Sequence, residues 1–334
     1  MAGTIGAVGW DMAALPDHPN HLRDWQLLDL RRVSAEQLGS VLDEEVSSWK
    51  RELDWDFRAS ADLVRRFVRM QGLSGYALVR GGRVAGYSYY VCEEGKGLIG
   101  DVCVMRTLRT PEVENALLEA SLNAMFGMLG IRRVEAQIMM ISSPLERQVP
   151  AAKWFRRYPR YFMQAPLGPA AKLPEKRLAG IDMLPWSEIR HEETARLIAA
   201  AYQDHVDSHI NDQYRSIAGA RRFLTNIVQY PGCGSFFGPA SWAAVKSGEL
   251  LGISLASLVA DDVGHITQVC VAPSVRGTGL GYELVRKSLM SLAVHGCRSV
   301  SLTVTSSNRP AVKLYERMGF ANRRNFAAYV WEPR

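Results

Sequence analysis

The 334-residue chain contains an internal repeat, and a repeat limits the possible folds more than any single motif does. Its two halves share short blocks of similar sequence in the same order, at offsets of 160 to 167 residues. The paired blocks are 77–86 with 243–252, 101–104 with 268–271, 130–134 with 296–300, and 150–155 with 310–315. Because order and spacing are both kept, we predict a duplicated domain, which suits a chain of about two domain lengths.

The boundary between the halves is predicted from composition. Residues 166–177 are rich in proline and show neither helical nor strand periodicity, which is typical of a linker. We therefore predict a leader or arm over residues 1–25, an N-terminal domain over 26–165, a linker over 166–177 and a C-terminal domain over 178–334.

Helical and strand patterns alternate along each half. In the second half, the predicted elements are a helix at 192–202, a hairpin at 243–259, a strand at 265–271, a helix at 280–292, a strand at 299–305, a helix at 310–318 and a strand at 327–331. This order predicts an α/β fold in which each half has a central mixed sheet flanked by helices. A TIM barrel is excluded, since its units repeat every ~30 residues.

Composition excludes several classes of protein. No run of about 18 apolar residues is present, so a membrane span is not expected. The first residues lack the basic and apolar regions of a secretory signal, and the five cysteines lack disulfide or zinc spacing, so we expect a cytoplasmic protein without a bound metal. The basic residues behind the net charge of +6 are interspersed with acidic ones, which disfavours nucleic acid and suits a small polyanion.

A glycine-rich loop, Arg276-Gly-Thr-Gly-Leu-Gly281, lies between a predicted strand and an amphipathic helix. Glycines there let the backbone approach a ligand and point N–H groups at it from a helix N-terminus. This geometry suits a pyrophosphate, with Arg276 as a counter-charge, although a simple tight turn has the same composition. The loop matches neither the P-loop nor the dinucleotide-binding fingerprint, which excludes those two nucleotide-binding classes.

The surroundings of the loop make it specific. Residues 273–281 read Pro-Ser-Val-Arg-Gly-Thr-Gly-Leu-Gly, and residues 308–320 read Asn-Arg-Pro-Ala-Val-Lys-Leu-Tyr-Glu-Arg-Met-Gly-Phe. Both segments resemble the GNAT family, the Gcn5-related N-acetyltransferases, and the strong match covers about residues 243–331. The resemblance implies two tandem GNAT-like domains, in which acetyl-CoA lies in a gap between two splayed parallel strands, here 266–271 and 299–305.

The family roles fall on particular residues of the second half. The resemblance implies that Tyr315 is the general acid, which protonates the CoA thiolate as it leaves, and that Asn308 binds the pantetheine arm. Backbone groups of Val269 and Val271 would meet the pantetheine and the thioester carbonyl. The loop amides that would hold the pyrophosphate are those of Val275, Arg276, Gly277, Thr278, Gly279, Leu280 and Gly281. The alternative for Tyr315 is an amphipathic core tyrosine.

The first half departs from this pattern at the functional positions. Pro111 has no N–H to donate at the loop, and Glu112 and Glu114 would repel a pyrophosphate. Phe155, which the repeat aligns with Tyr315, has no proton to donate. We therefore predict an N-terminal domain that keeps the fold without the usual cofactor chemistry, and that shapes the acceptor cleft or stabilises the pair.

The acceptor of the acetyl group is expected to meet a polar segment, Tyr202-Gln-Asp-His-Val-Asp-Ser-His-Ile-Asn-Asp-Gln-Tyr214. An alkyl ammonium has a pKa near ~10, so a nucleophilic amine needs a group that takes its proton. Asp207 and His209 are the candidate catalytic bases, and Asp207, His209 and Asp212 are the candidate acceptor contacts. A metal held by His205 and His209 is disfavoured because this chemistry needs none, and a solvated surface is the alternative.

These patterns predict an acyltransferase that moves acetyl from acetyl-CoA to a primary amine by direct attack, at a site in the C-terminal half. His265 and Glu283 are further candidate bases. The acceptor would be a small-molecule or peptide amine, no membrane partner is expected, and a homodimer stays open. The alternatives are a non-catalytic acyl-CoA-binding or regulatory protein and an aminoacyl-type transferase on a duplicated GNAT fold.

Overall fold

The computed structural model describes residues 24–168, 172–230, 232 and 234–333. Except for its last two residues, the predicted leader lies outside the described residues, as do residues 169–171 of the predicted linker. The described residues form one large mixed sheet flanked by helices, so the predicted α/β fold class is confirmed. None of the described helices has the length and hydropathy needed to cross a membrane.

The first half contributes these strands and α-helices: β1 (Trp25–Asp29), α1 (Gly39–Leu53), α2 (Arg58–Arg69), β2 (Gly75–Arg80), β3 (Arg83–Glu93), β4 (Lys96–Val104), α3 (Pro111–Phe126), β5 (Arg133–Gln137) and β6 (Phe155–Pro166). The second half contributes β7 (Asp182–Pro185), α4 (His191–Ala201), α5 (Val206–Ile210), α6 (Ile217–Gln229), β8 (Ser235–Phe236), β9 (Trp242–Lys246), β10 (Glu249–Ala260), β11 (Val263–Val271), α7 (Leu280–His295), β12 (Ser299–Thr305), α8 (Arg309–Arg317) and β13 (Ala321–Trp331). All elements predicted for the second half are present, with ends shifted by up to six residues.

Turn residues and apolar spacing explain several of these elements. Gly81 and Gly82 adopt positive φ angles of 56° and 76° between β2 and β3, a conformation that favours glycine. Pro310 lies in the first turn of α8, where no N–H is needed. The residues predicted to share one face of α7 are all buried, namely Leu280, Leu284, Val285, Leu289 and Leu292.

The last strand of each half completes the sheet of the other half. The strand order is β1-β2-β3-β4-β5-β13-β6-β12-β11-β10-β9-β7. β6 pairs antiparallel with β12, and β13 pairs antiparallel with both β5 and β6. The sheet is therefore continuous across the two halves, and a strand of the first half borders the parallel pair β11 and β12 of the second. The domain boundaries given above stay predictions.

The block at 150–155 is aligned wrongly in the sequence repeat. Phe155 begins β6, whereas its predicted counterpart Tyr315 lies on α8. β6 and β13 begin 166 residues apart, and the same offset puts Val149 in register with Tyr315. The short Pro-Ala-x-Lys similarity behind the alignment thus shifts the register by six residues. Val149 has no proton to donate either, so the inference drawn from Phe155 applies equally to Val149.

Side chains of the first half are buried against the second half. The Trp55 and His265 ring centroids lie 4.9 Å apart, and the Trp55 indole N–H donates to Ser301 Oγ at 3.3 Å. His265 Nδ1 lies 2.9 Å from the same oxygen. Burial lowers the pKa of His265 to about 3, so this candidate base is a neutral packing residue at pH 7.

We expect His265 to make the fold sensitive to acid. The folded imidazole stays neutral down to about pH 3, whereas the unfolded chain binds a proton below the ordinary pKa of 6.5. The free energy of unfolding should therefore lose about 3 kcal/mol from this group between pH 7 and pH 4. Urea unfolding of the wild type and of His265→Gln at both pH values checks this, because the variant should lose less stability by about that amount. Equal losses in the two proteins would contradict it.

Candidate functional site

The parallel strands β11 and β12 pair along only part of their length. Pairing ends at Ile266 and Leu302, although β11 continues to Val271. The divergence begins at a bulge, where Thr267 is an extra residue of β11 against β10. Because a bulge bends a strand away from its neighbour, the two strands open a V-shaped gap at their carboxyl ends. This is the gap that the family resemblance implies.

The glycine-rich loop follows β11 at the wide end of this gap. Gly277 and Gly279 have φ angles of 78° and 95°, in the left-handed region that favours glycine. Thr278 Oγ1 donates to the Val275 carbonyl oxygen at 2.8 Å and closes the turn. α7 begins at Leu280, directly after the loop, and the Leu280 side chain is buried. The loop therefore lies at a helix N-terminus, which favours an anion. These residues fit the pyrophosphate of acetyl-CoA.

Two of the seven predicted loop amides already have acceptors in the turn. The N–H groups of Val275 and Arg276 donate to the carbonyl oxygens of Ala272 and Pro273, at 3.1 and 3.3 Å. The N–H groups of residues 277–281 have no backbone acceptor within the described chain. The unpaired donors of the helix N-terminus are therefore those of 277–281, and Val275 and Arg276 drop out of the predicted set.

The side chain of Arg276 also differs from its predicted role. Its guanidinium donates to the carbonyl oxygen of Ala201 at the C-terminal end of α4. A cation is favoured there because it meets the negative end of the helix dipole. Arg276 thus links the loop to α4, and its charge is not directed at the pyrophosphate position.

Tyr315 lies half-buried on α8, the helix that follows β12. Burial, reinforced by the negative charge of Asp207, raises the pKa of Tyr315 to about 12. The phenol is therefore protonated at neutral pH, as a general acid requires. Its hydroxyl forms no hydrogen bond with the residues that the structure describes, and the ring packs 5.9 Å from that of Phe320.

Asp207 joins the two halves of the chain at this site. Its carboxylate accepts a hydrogen bond from the Thr305 hydroxyl at the end of β12 and lies 3.6 Å from Nη1 of Arg160. Arg160 is 9% exposed and belongs to β6, the strand that the first half contributes. It donates to Thr303 Oγ1 at 3.2 Å, while its Nε has no described partner. Arg160 is a site residue that sequence reasoning missed.

His205 lies between Asp207 and Asn308 and caps the short helix α5. Its Nδ1 accepts the Asp207 backbone N–H at 3.2 Å, and its Nε2 lies 3.3 Å from the Asn308 side-chain amide. Burial lowers the pKa of His205, so the ring is neutral at pH 7. A neutral imidazole has one acceptor nitrogen, so with Nδ1 accepting, Nε2 carries the proton and faces the Asn308 amide nitrogen, which is itself a donor. His205 therefore packs against Asn308 without a hydrogen bond in this tautomer, and Asn308 caps α8.

Two predicted acceptor residues have other surroundings. The His209 side chain is exposed, and its carbonyl oxygen accepts a hydrogen bond from Arg133 at 2.6 Å. Asp212 pairs with Lys96 of the first half, and its N–H donates to Glu135 at 3.0 Å. These contacts bind the segment to the first half, so we retain neither residue as a base or an acceptor contact. Across the described residues, no His, Cys, Asp or Glu group has metal-binding geometry.

A tyrosine of the acceptor segment reaches the diverging strand. Tyr202 Oη accepts from Gln268 Nε2 at 2.8 Å and donates to the Val269 carbonyl oxygen at 3.4 Å. The Tyr202 ring stacks on Tyr214 with centroids 4.4 Å apart. The Val269 carbonyl, an expected pantetheine contact, thus already accepts a hydroxyl in this structure.

In the first half, a buried network links the start of α3 to the segment after β5. Glu114, which the sequence predicts to repel a pyrophosphate, is 1% exposed and pairs with Arg147 at 2.7 Å. It also accepts the Ser142 N–H at 3.1 Å, shortly after β5. The Glu114 charge is therefore neutralised inside the fold, so the predicted repulsion at the surface is wrong for this residue.

Residues 198–320 match the model of the acetyltransferase (GNAT) family. A mycothiol acetyltransferase of Thermomonospora curvata is 40% identical over 86 residues, which cover 25% of this chain and 29% of that protein. A mycothiol acetyltransferase of Thermobispora bispora is 32% identical over 177 residues, or 51% of this chain and 53% of that protein. In these matches the chain spans less than a third of the first relative's length and about half of the second's.

Two solved structures share the architecture of nearly the whole chain. A GCN5-related N-acetyltransferase from Sphaerobacter thermophilus aligns with a TM-score of 0.65 at 16% identity, over 93% of this chain and 96% of that chain. A tandem GNAT protein from the clavulanic acid biosynthesis pathway aligns with a TM-score of 0.60 at 16% identity, over 93% of this chain and 99% of that chain. At such identity the likeness shows the fold alone. Residues 198–320 therefore match the acetyltransferase (GNAT) family, and nearly the whole chain shares the fold of these two GNAT structures.

Proposed function

We propose that the chain is an N-acetyltransferase that moves the acetyl group of acetyl-CoA to a primary amine, at a site in its C-terminal half. The observation that carries the proposal is the gap between β11 and β12. It lies between a loop of unpaired N–H groups, which follows β11, and the protonated Tyr315, on the helix that follows β12. Such a gap suits a cofactor with a pyrophosphate at one end and a thioester at the other.

The gap would hold the cofactor mainly through backbone groups. The N–H groups of residues 277–281 would bind the pyrophosphate, and the β11 backbone at Val269 and Val271 would lie along the pantetheine. Asn308 would meet the pantetheine arm, with its side chain held by the Ala311 N–H at the start of α8. When bound, acetyl-CoA supplies a thioester that an amine can attack.

Transfer requires one bond to form, one to break and two protons to move. The amine nitrogen bonds to the thioester carbon, and the carbon–sulfur bond breaks. A β11 backbone N–H stabilises the carbonyl oxygen as it becomes negative, and Tyr315 gives its proton to the leaving sulfur. Asp207 takes the proton that the amine loses, and this proton returns to Tyr315 through solvent.

The Asp207 carboxylate is the best-placed group to receive the amine. It is held by Thr305 from the second half and Arg160 from the first, so its position depends on the exchanged strand β6. We assign the first half a supporting, non-catalytic role in this shared site, because Glu114 and Arg147 form a buried ion pair at the start of its α3. The relatives named mycothiol acetyltransferase support acetyl transfer, and we propose the acceptor only as a primary amine.

The test is thiol release from acetyl-CoA in the presence of amino sugars, amino acids, polyamines and a peptide with a free N-terminus. At least one amine should raise the rate about 10-fold or more and appear as its N-acetyl product by mass spectrometry. Asp207→Asn should lower kcat/KM for that amine about 10²-fold, because the proton acceptor is lost. Asp212→Asn is the matched control, since that carboxylate pairs with Lys96 instead.

The outcomes separate the alternatives. Binding of acetyl-CoA without amine-dependent thiol release would favour a non-catalytic acyl-CoA-binding protein. A requirement for added RNA would favour the aminoacyl-type transferase. Equal losses in Asp207→Asn and Asp212→Asn would contradict the role given to Asp207.

A further inference from the structure

The segment that connects the two halves crosses the first turn of α7. Tyr282 Oη donates to the Pro174 carbonyl oxygen at 2.9 Å, and the Lys176 backbone N–H donates to Glu283 Oε2 at 3.0 Å. Residues 174–176 are thus fastened to the helix at two points, next to the glycine-rich loop.

The acceptor of the second bond is itself fixed. Glu283 is 2% exposed, and Arg286 donates to both of its carboxylate oxygens, at 2.8 and 2.6 Å. A carboxylate held in this way positions the Lys176 backbone rather than acting as a base, which corrects the role that the sequence offers for Glu283. The Lys176 side chain therefore extends from a defined point beside the loop.

The Lys176 side chain lies directly over Gly279. A Cβ placed on Gly279 would be 2.4 Å from Lys176 Nζ and 2.5 Å from its Cδ. The described residues include no ion pair of this ammonium, and the nearby carboxylate of Glu283 pairs with Arg286. The ammonium and the N-terminus of α7 are both positive, so an anion between them would be stabilised by both.

We propose that Lys176 is a cofactor-binding residue, whose ammonium pairs with the pyrophosphate of acetyl-CoA bound at residues 277–281. The inference rests on the proposed function, since it takes that loop as the cofactor site. It gives the connecting segment a role in binding: the side chain swings off Gly279, while its fixed backbone keeps the ammonium within reach of the phosphates. Lys176 thus supplies the counter-charge that Arg276, turned toward α4, does not.

The test is calorimetric titration of the full chain with acetyl-CoA and with 3′-dephospho-CoA, which keeps the pyrophosphate. Lys176→Met should raise the Kd for both ligands about 10-fold, and Lys176→Arg should recover most of the loss because the charge returns. Lys172→Met is the matched control, since this exposed lysine of the same segment makes none of these contacts and should bind like the wild type. The substitutions are at exposed side chains, and thermal unfolding verifies that each variant is folded.

Three results would overturn the inference while leaving the proposed function in place. An unchanged Kd in Lys176→Met would mean that the ammonium makes no contact with the cofactor. A lower Kd would mean that the lysine only covers the loop and competes with the ligand. A loss for acetyl-CoA but not for 3′-dephospho-CoA would place the contact at the 3′-phosphate. Failure of the wild type to bind acetyl-CoA would overturn the inference and the proposed function together.

Discussion

Tyr315→Phe is expected to lower kcat for acetyl transfer by about 10²-fold or more while leaving the Kd for acetyl-CoA within about 3-fold. The phenylalanine keeps the ring packed against Phe320 but removes the proton that the leaving sulfur needs. Because burial and Asp207 raise the pKa of Tyr315 to about 12, the wild-type phenol stays protonated between pH 7 and pH 10. Its ionisation should therefore cause no fall in kcat over that range.

The control is Tyr329→Phe, which removes a hydroxyl bonded to the Pro144 carbonyl oxygen at 2.7 Å in the first half. This variant should lose about 1 kcal/mol of unfolding free energy with kcat unchanged. Steady-state kinetics and calorimetry on both variants separate the two effects. Undiminished turnover in Tyr315→Phe would rule out this tyrosine as the general acid.

Local patterns predict the elements that form the candidate cofactor site. The loop glycines, Pro310 at the start of α8 and the strand at 299–305 all depend on neighbours close in sequence, and the structure has each of these elements where it is predicted. The limit of such patterns appears within the loop itself. Which N–H groups already have an acceptor depends on the turn geometry, and local patterns do not show that those of Val275 and Arg276 do.

The strand exchange could not be predicted in this way. β6 and β13 are long strands at equivalent positions of the repeat. From its sequence pattern, each of them could pair with β5 or with β12. The observed choice joins residues far apart in sequence, such as Arg160 opposite Thr305. Nothing near Arg160 in the sequence shows that it reaches Asp207, so local patterns cannot identify it as part of the candidate site.

For a related reason, the sequence does not show which residues of the acceptor segment face the candidate site. α5 has five residues, which is too short for a periodic pattern to show which side chains face the site. Composition alone cannot rank Asp207, His209 and Asp212. The packing of the first half ranks them: Arg160 meets Asp207, Lys96 takes Asp212, and the His209 side chain is left exposed.

Thr278→Glu is expected to weaken acetyl-CoA binding about 10- to 100-fold, because it puts a negative charge among the N–H groups proposed for the pyrophosphate. Thr278 is exposed, so the longer side chain has room. A substitution at Gly279 would be less informative, since a Cβ there meets Lys176 and the φ angle is 95°. Thr278→Gln also loses the hydrogen bond to Val275 but adds no charge. The difference in Kd between the Glu and Gln variants therefore measures the effect of the charge.

Thr107→Glu is the matched control in the first half. It adds the same charge at an exposed threonine close to the start of α3 and should leave the Kd unchanged, because we propose no cofactor site there, where Glu114 and Arg147 form a buried ion pair.

The most direct test of the whole account is therefore calorimetric titration of acetyl-CoA into the wild type and these three variants. We predict one site per chain, with binding weakened far more by Thr278→Glu than by Thr278→Gln and unchanged in Thr107→Glu. Two sites per chain, or a loss in Thr107→Glu equal to that in Thr278→Glu, would contradict a single cofactor site between β11 and β12.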